Sequence, residues 1–308
     1  MEIFKNDFGC ELHGLNINSL TEKDEKIIKS SLYENRLVII KNQTLTNQEY
    51  VDFANKFATP VPYLQENYHH PDHKEIFVSS NIQKTKDKMG VARTGGYWHS
   101  DTAFEQNPKV LTMLMPKVMP KTIKRTTRFI DMAKVYQAMS LKQQQTLSKM
   151  TFIHSGRWRY KVRPEDINLD LTEILAMIHA VQPPVEHPAV ITHPFTKEKI
   201  IYASRGFTIE VKNEGLDQSK VILDELFDFA EQAQFIKEVT WNLGDLIIWD
   251  NRFLQHSSGR QAAVGENLQA EITKEEETMM FRITLLDGMP LCDSLRENAG
   301  VAIPEMEV

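Results

Sequence analysis

Apolar residues recur along the chain at two different spacings, and the switches between them mark its elements. In 21–35, Ile27, Ile28 and Leu32 share one helical face behind Thr21, a residue suited to capping. The run RLVII at 36–40 is short, apolar and β-branched, and predicts a buried strand. Thr46 and Glu49 have capping-box spacing ahead of a helix containing Tyr50, Phe53 and Phe57, which Pro60 stops. Strands are predicted at 75–80 and 110–115, the second ended by Pro116.

Asp131 and Ser140 predict caps for helices reaching Met139 and Met150. TFIH (151–154) and RYKVR (159–163) read as strands, LTEILAMIHAV (171–181) as a helix, and 219–232 as another. AVITHP and KIIYAS flank Phe195–Glu198 as a hairpin, and VTWNLGDLIIWD and FRITLLD are the clearest strands near the C-terminus. Between those two lies 261–278, polar and acidic, which predicts an exposed loop. With helices gathered early and short strands following, the pattern predicts a mainly β fold with surrounding α-helices. Its core would be an antiparallel β-sandwich or a cupin-like jelly roll, formed as a single domain over 1–308, with other α+β layouts left open by periodicity alone.

Composition narrows the function. The net charge of −6 gives no basic face for nucleic acid. No apolar run is long enough to span a membrane, and the acidic start lacks the basic, apolar pattern of a signal peptide. Cys10 and Cys292, the two cysteines, predict free thiols in a reducing compartment, so the expected location is cytoplasmic.

The chemistry gathers at GGYWHSDTAF, where His99 and Asp101 are two residues apart; on a strand, both would face one side. A third ligand is offered by His256, just beyond the apolar strand of WNLGDLIIWDNRFLQHS. Two imidazoles and one carboxylate on one face leave coordination positions open, as non-haem Fe(II) oxygenases require. Arg282, between Phe281 and Ile283, would pair with the distal carboxylate of 2-oxoglutarate, with Thr127 donating a hydroxyl to it. His69, His70, Asp72 and His73 form a rival cluster, but adjacent strand residues point apart and Pro71 implies a turn, so packing or substrate contact is the better reading. Lys161 and Arg163, two apart, would point one way and clamp an anion, against the plainer reading of a solvated basic face with Arg157 and Arg159.

WHSD, GDLIIWDNRFLQH and FRITLLDG together resemble the taurine dioxygenase-like (TauD/TfdA) superfamily of Fe(II)/2-oxoglutarate enzymes. Within it, VPYLQENYHHPDHKEIFVSS, RTGGYWHSD, FIDMAKVYQAM and YKVRPEDI are similar to the isonitrile-forming oxygenases of isonitrile lipopeptide pathways. The resemblance implies a double-stranded β-helix, with His99, Asp101 and His256 as ligands and Arg282 and Thr127 on 2-oxoglutarate. It further implies a substrate derived from a fatty acid, an N-carboxymethyl-3-amino acid, held by Lys161, Arg163, Tyr63 and Tyr68. Arg260 stands where those relatives have a histidine, Leu64 replaces one of two tyrosines, and the acidic 261–278 stretch is inserted. The alternative is a hydroxylase of a small sulfonate, carboxylate or amino acid. From another class, a non-catalytic jelly-roll binding protein would need neither three ligands nor a distal arginine. Homo-oligomerisation is left open.

Overall fold

A computed structural model describes residues 1–82, 89–92, 94–121, 124–258 and 273–292. Strands β1 (Glu2–Lys5) and β2 (Cys10–His13) lead into helix α1 (Glu22–Asn35). Thr21 accepts from the Asp24 amide and the Asp24 carboxylate takes the Thr21 amide, so two orphan donors of α1 are satisfied. Strand β3 (Leu37–Ile40) is buried at every position. Helix α2 (Asn47–Phe57) repeats the capping box with Thr46 and Glu49 and buries Tyr50, Phe53 and Phe57. Then come β4 (Thr59–Pro60), β5 (His69–His70), β6 (His73–Ser80) and β7 (Leu111–Val118).

The middle of the chain supplies β8 (Thr126–Asp131), α3 (Met132–Ala138), α4 (Leu141–Leu147), β9 (Thr151–His154) and α5 (Leu171–Val181). Four short strands follow, β10 (Val185–Pro188), β11 (Val190–Thr192), β12 (Lys199–Ile201) and β13 (Thr208–Val211), before α6 (Leu216–Ala230). The last strands are β14 (Ile236–Thr240), β15 (Leu246–Asp250), β16 (Leu254–Ser258) and β17 (Met279–Leu286).

Among the described residues, the largest sheet runs β1-β2-β3-β15-β7-β17-β6-β5, with β4 added on β17, and only the β2–β3 pair is parallel. A smaller sheet, β14-β8-β16, lies against it. Phe129 of β8 meets Trp249 of β15 edge-on at 5.7 Å, so one apolar layer glues the two sheets. His256 on β16 packs on both rings, which places it at the seam. The fold is thus mixed, with several sheets and helices around them.

Three sequence expectations change. No strand forms over 159–163; Arg157–Arg159 and Pro164–Asp166 are 3₁₀ turns, because that segment finds no strand to pair with. Pro116 does not end β7. It sits opposite Met280 at a register shift in the β7–β17 ladder, beyond the part of β7 that pairs with β15, so its missing N–H breaks no bond to that strand. VTWNLGDLIIWD is two strands, divided by a turn at Gly244 with φ of 84°. Helices α5 and α6 form where 171–181 and 219–232 predict them. Arg260 and 261–272 lie outside the described residues; of the acidic stretch, 273–278 contains a 3₁₀ turn at Lys274–Glu276. Cys10 and Cys292 are buried and form no disulfide with each other, and no described helix is long and apolar enough to cross a membrane.

Away from the seam, His154 and His187 lie buried side by side, ring centres 5.2 Å apart. Burial holds both imidazoles below their ordinary pKa, His187 at about 4. Their stabilising effect is therefore complete above the unfolded value near 6.5, and it is lost as pH falls toward the folded value. Each site makes stability fall by roughly 1.4 kcal/mol per pH unit in that window. Urea midpoints measured at pH 7 and pH 5 should differ, and His187→Gln, which keeps a donor for the Glu105 carbonyl, should shrink the difference. Equal midpoints at the two pH values in the unaltered protein would count against this account.

Candidate metal centre and its two cavities

His99 reaches the centre through its backbone. Its N–H donates to the His256 carbonyl at 3.1 Å and His256 N–H returns to the His99 carbonyl at 2.7 Å. Such a hydrogen-bonded antiparallel pair puts both side chains on one face. Asp101 arrives differently from the expected strand: the bridge ends beside it, and the chain turns at Thr102, φ 55°. The three donor atoms nevertheless lie within 4.8 Å of one another, and all three residues are buried.

Both histidine Nε2 atoms stand 3.8 Å from Asp101 oxygens, too far to hydrogen-bond and suited to sharing an ion. His99 is oriented by the bond between its Nδ1 and the Tyr97 carbonyl, 2.8 Å, which leaves Nε2 for the ion. Burial keeps both imidazoles neutral, lowering His99 and, with help from the neighbouring His99, holding His256 well below the usual value. Burial alone would raise Asp101; Arg282, then His256 and His99, overcome it and hold the carboxyl at about 2. Two neutral imidazoles and an ionised carboxylate are the donor set an Fe(II) facial triad requires. Gly95, at φ 69°, passes so close that a Cβ there would meet His99 Cε1 at 3.2 Å.

A relay supports Asp101. Asn251 Nδ2 donates to Thr112 Oγ1 at 2.8 Å, and Thr112 donates to Asp101 Oδ2 at 2.7 Å. Asn251 Oδ1 accepts from Trp249 Nε1 at 2.9 Å. Thr112→Val keeps the shape and removes the donor, and should weaken metal affinity about 10–100-fold. Anaerobic Fe(II) titration checks this, and an unchanged affinity would show the relay to be idle.

The centre lies between two cavities that share Phe77, Thr94, Gly95, His99 and Arg282. The smaller, about 90 Å³, includes Arg125, Thr127, Trp241 and Trp249 in its wall. Thr127 Oγ1 accepts the Trp241 indole N–H at 2.8 Å, so its own proton is free to be donated. Arg282 donates from Nη1 to Asp101 Oδ1 at 2.6 Å and stacks over Phe77 at 4.0 Å.

The larger cavity, about 600 Å³, is lined in part by Tyr63, Tyr68, Lys161 and Arg163. Lys161 and Arg163 converge although they are not on a strand. Arg163 is bonded to Asp166, which that pairing lowers to about 2, and Lys161 donates to the Ala92 carbonyl. Tyr63 and Tyr68 meet edge-on at 5.2 Å, and burial raises both phenols. Leu64 also lines this cavity, whereas Arg260 is not among the described residues.

His69, His70, Asp72 and His73 form no metal-ligating cluster among the described residues. His69 bonds the Tyr63 carbonyl, and His70 bonds Asn47. Sequence reasoning missed Arg125, Thr112 and Asn251. It read Arg159 as solvated background, yet Arg159 lines the large cavity and lies over the Tyr97 ring at 4.0 Å. Proximity to the HxD motif signals none of these; Thr112 stands out only as a hydroxyl within the otherwise apolar run VLTMLM.

The family model described as "Taurine catabolism dioxygenase TauD, TfdA family" matches residues 3–267. The chain belongs to this family. Pentalenolactone F synthase of Streptomyces arenae is 25% identical over 259 residues, covering 81% of this chain and 86% of that protein. The alpha-ketoglutarate-dependent 2,4-dichlorophenoxyacetate dioxygenase of Cupriavidus pinatubonensis is 26% identical, covering 79% and 85% respectively. Among solved structures, a taurine dioxygenase from Burkholderia xenovorans superposes with a TM-score of 0.71 at 22% identity, covering 95% of this chain and 93% of that one. AAD-2 in complex with Mn(II) and N-oxalylglycine gives 0.72 at 21% identity, covering 94% and 100%. This TauD-family chain is a 2-oxoglutarate-dependent dioxygenase acting on a small molecule, and its His-Asp-His arrangement is consistent with Fe(II). None of these relatives points to isonitrile formation.

Proposed function

We propose that the whole chain is one catalytic domain with a double-stranded β-helix core, and that it converts an N-carboxymethyl-3-amino fatty acid to an isonitrile. The observation that carries this reading is the large cavity, which brings Lys161, Arg163 and Arg159 together with Tyr63 and Tyr68 beside the metal centre. That many donors suit a substrate with two carboxylates. His99, Asp101 and His256 would hold Fe(II). Arg282, with Arg125 and Thr127 around the small cavity, would hold the distal carboxylate of 2-oxoglutarate. Bound iron and 2-oxoglutarate supply the oxidising power, drawn from O₂.

The protein residues then have three tasks. The cations and phenols fix the glycine-derived CH₂ toward the triad; Phe77 and Phe207 keep bulk water from it; Tyr97 positions His99. Two turnovers, each consuming one O₂ and one 2-oxoglutarate and releasing one succinate and one CO₂, would remove four electrons and four hydrogens. R–NH–CH₂–COOH would become R–N≡C, CO₂ and two waters.

The relatives favour a second reading, simple hydroxylation of a small carboxylate or sulfonate. Product mass separates the two. Loss of CO₂ with four-electron oxidation supports isonitrile formation, and gain of a single oxygen on N-carboxymethyl-3-amino acids supports hydroxylation. No succinate above the substrate-free level with any such acid would overturn the first reading.

A further inference from the structure

Helix α5 carries apolar residues at 174, 177, 178 and 181, one helical face at i, i+3, i+4 and i+7. A capping box of Asp170 and Glu173 fixes its start. Such a face ordinarily packs on the core. Here Ile174 and Ile178 are buried but stand apart from the main hydrophobic cluster, and Met177, Ile178 and Val181 line the large cavity instead. Val181, at the end of the stripe, is 59% exposed, so the apolar wall runs out toward solvent. The same cavity is also lined by His99, Asp101 and the cations Arg159, Lys161 and Arg163. Its wall is therefore part charged and part apolar.

We propose that this face of α5 seats a hydrocarbon chain carried by the substrate, and that Met177 and Ile178 set the chain length the enzyme accepts. The ligand class is an anion with an apolar tail, its charged end among the basic residues and its tail along α5. A substrate as small and polar as a short sulfonate would leave this stripe facing water, at a cost of ~25 cal/mol for each Å² of apolar surface. The inference rests on the reading above only in taking the anionic end to lie beside the metal centre.

The test uses n-alkanoic acids, from butanoate to dodecanoate, titrated calorimetrically into the Mn(II)-loaded enzyme. Affinity should rise about fourfold per methylene until the tail has covered the face, then level off. In Met177→Trp and Ile178→Trp the plateau should come at a shorter chain, with the longest acids weakened more than about tenfold and butanoate unchanged. Ala176→Trp, on the exposed opposite side of the same helix, should match the parent. A flat series in the parent, or identical series in parent and both cavity variants, overturns the proposal.

Turnover of homologous N-carboxymethyl-3-amino acids is read in parallel. If these are not oxidised while the alkanoate series behaves as described, the isonitrile reading fails and the role of α5 stands.

Discussion

Asp101→Ala is expected to lose 2-oxoglutarate turnover by on the order of 10³-fold or more, because it removes the anionic ligand from a three-ligand site. The loss should appear first in metal binding. His99 and His256 would remain, two neutral imidazoles that hold a divalent ion weakly and cannot offset its charge. A second effect follows from Arg282, whose guanidinium bonds Asp101 and is mostly buried. Without its partner that charge stays in a low-dielectric pocket, where breaking a buried pair costs ~3–5 kcal/mol, less here because part of the guanidinium reaches solvent. Asp101→Asn separates the two effects, since it preserves shape and a weak donor while removing the charge. Succinate formation and anaerobic Fe(II) titration on both variants, beside thermal melting, provide the check. Normal turnover in Asp101→Ala would remove the carboxylate from the metal site altogether.

The largest effect on stability is expected at Arg252. Its side chain is 1% exposed and clasps Asp287 through two bonds, 2.8 and 2.9 Å. It also approaches Asp250 and donates to the carbonyls of Met289 and Pro290. Asp250 in turn is bonded to His193, and Tyr33 donates to Asp287. Burial would raise the Asp250 carboxyl, and Arg252, foremost among its neighbours, brings it below the ordinary value.

Arg252→Met fills the volume but strands two buried carboxylates. The expected destabilisation is ~3–5 kcal/mol, visible as a lower urea midpoint with unchanged slope. The variant should also lose activity, because Asp250–Phe253 is the turn that aims β16, and His256 sits three residues beyond that turn. A double change of Arg252 and Asp287 to apolar residues should recover part of the stability. If Arg252→Met melts with the parent, the cluster is not what secures the turn.

These two sites show why legibility was uneven. Helix starts were readable because a capping box is local: Thr21, Thr46 and Ser140 each reach only three residues ahead. His99, Asp101 and His256 were readable because their chemistry is rare enough that type and spacing carry weight. Lys161 and Arg163 line one cavity without lying on the strand expected for them, as a strand needs a partner that sequence spacing cannot supply. Thr112 and Asn251 lie far from Asp101 in sequence or look like ordinary strand and turn residues. Their role exists only once β7 and β15 pair. Arg125 gave no signal beside Thr127, because a cation at the start of a strand is usually solvated.

The backbone bridge between His99 and His256 has a further consequence, for how the enzyme takes up and exchanges its ion. Their imidazoles hang from one backbone ring closed by two hydrogen bonds, ring centres 4.2 Å apart. Their spacing is therefore set by peptide geometry. Little conformational entropy is lost when an ion arrives, and little structure is released when it leaves. Loading is then limited by stripping water from the ion and not by any rearrangement of the chain. Among ions of similar size and geometric preference, such a seat leaves the choice of metal to ligand type and supply.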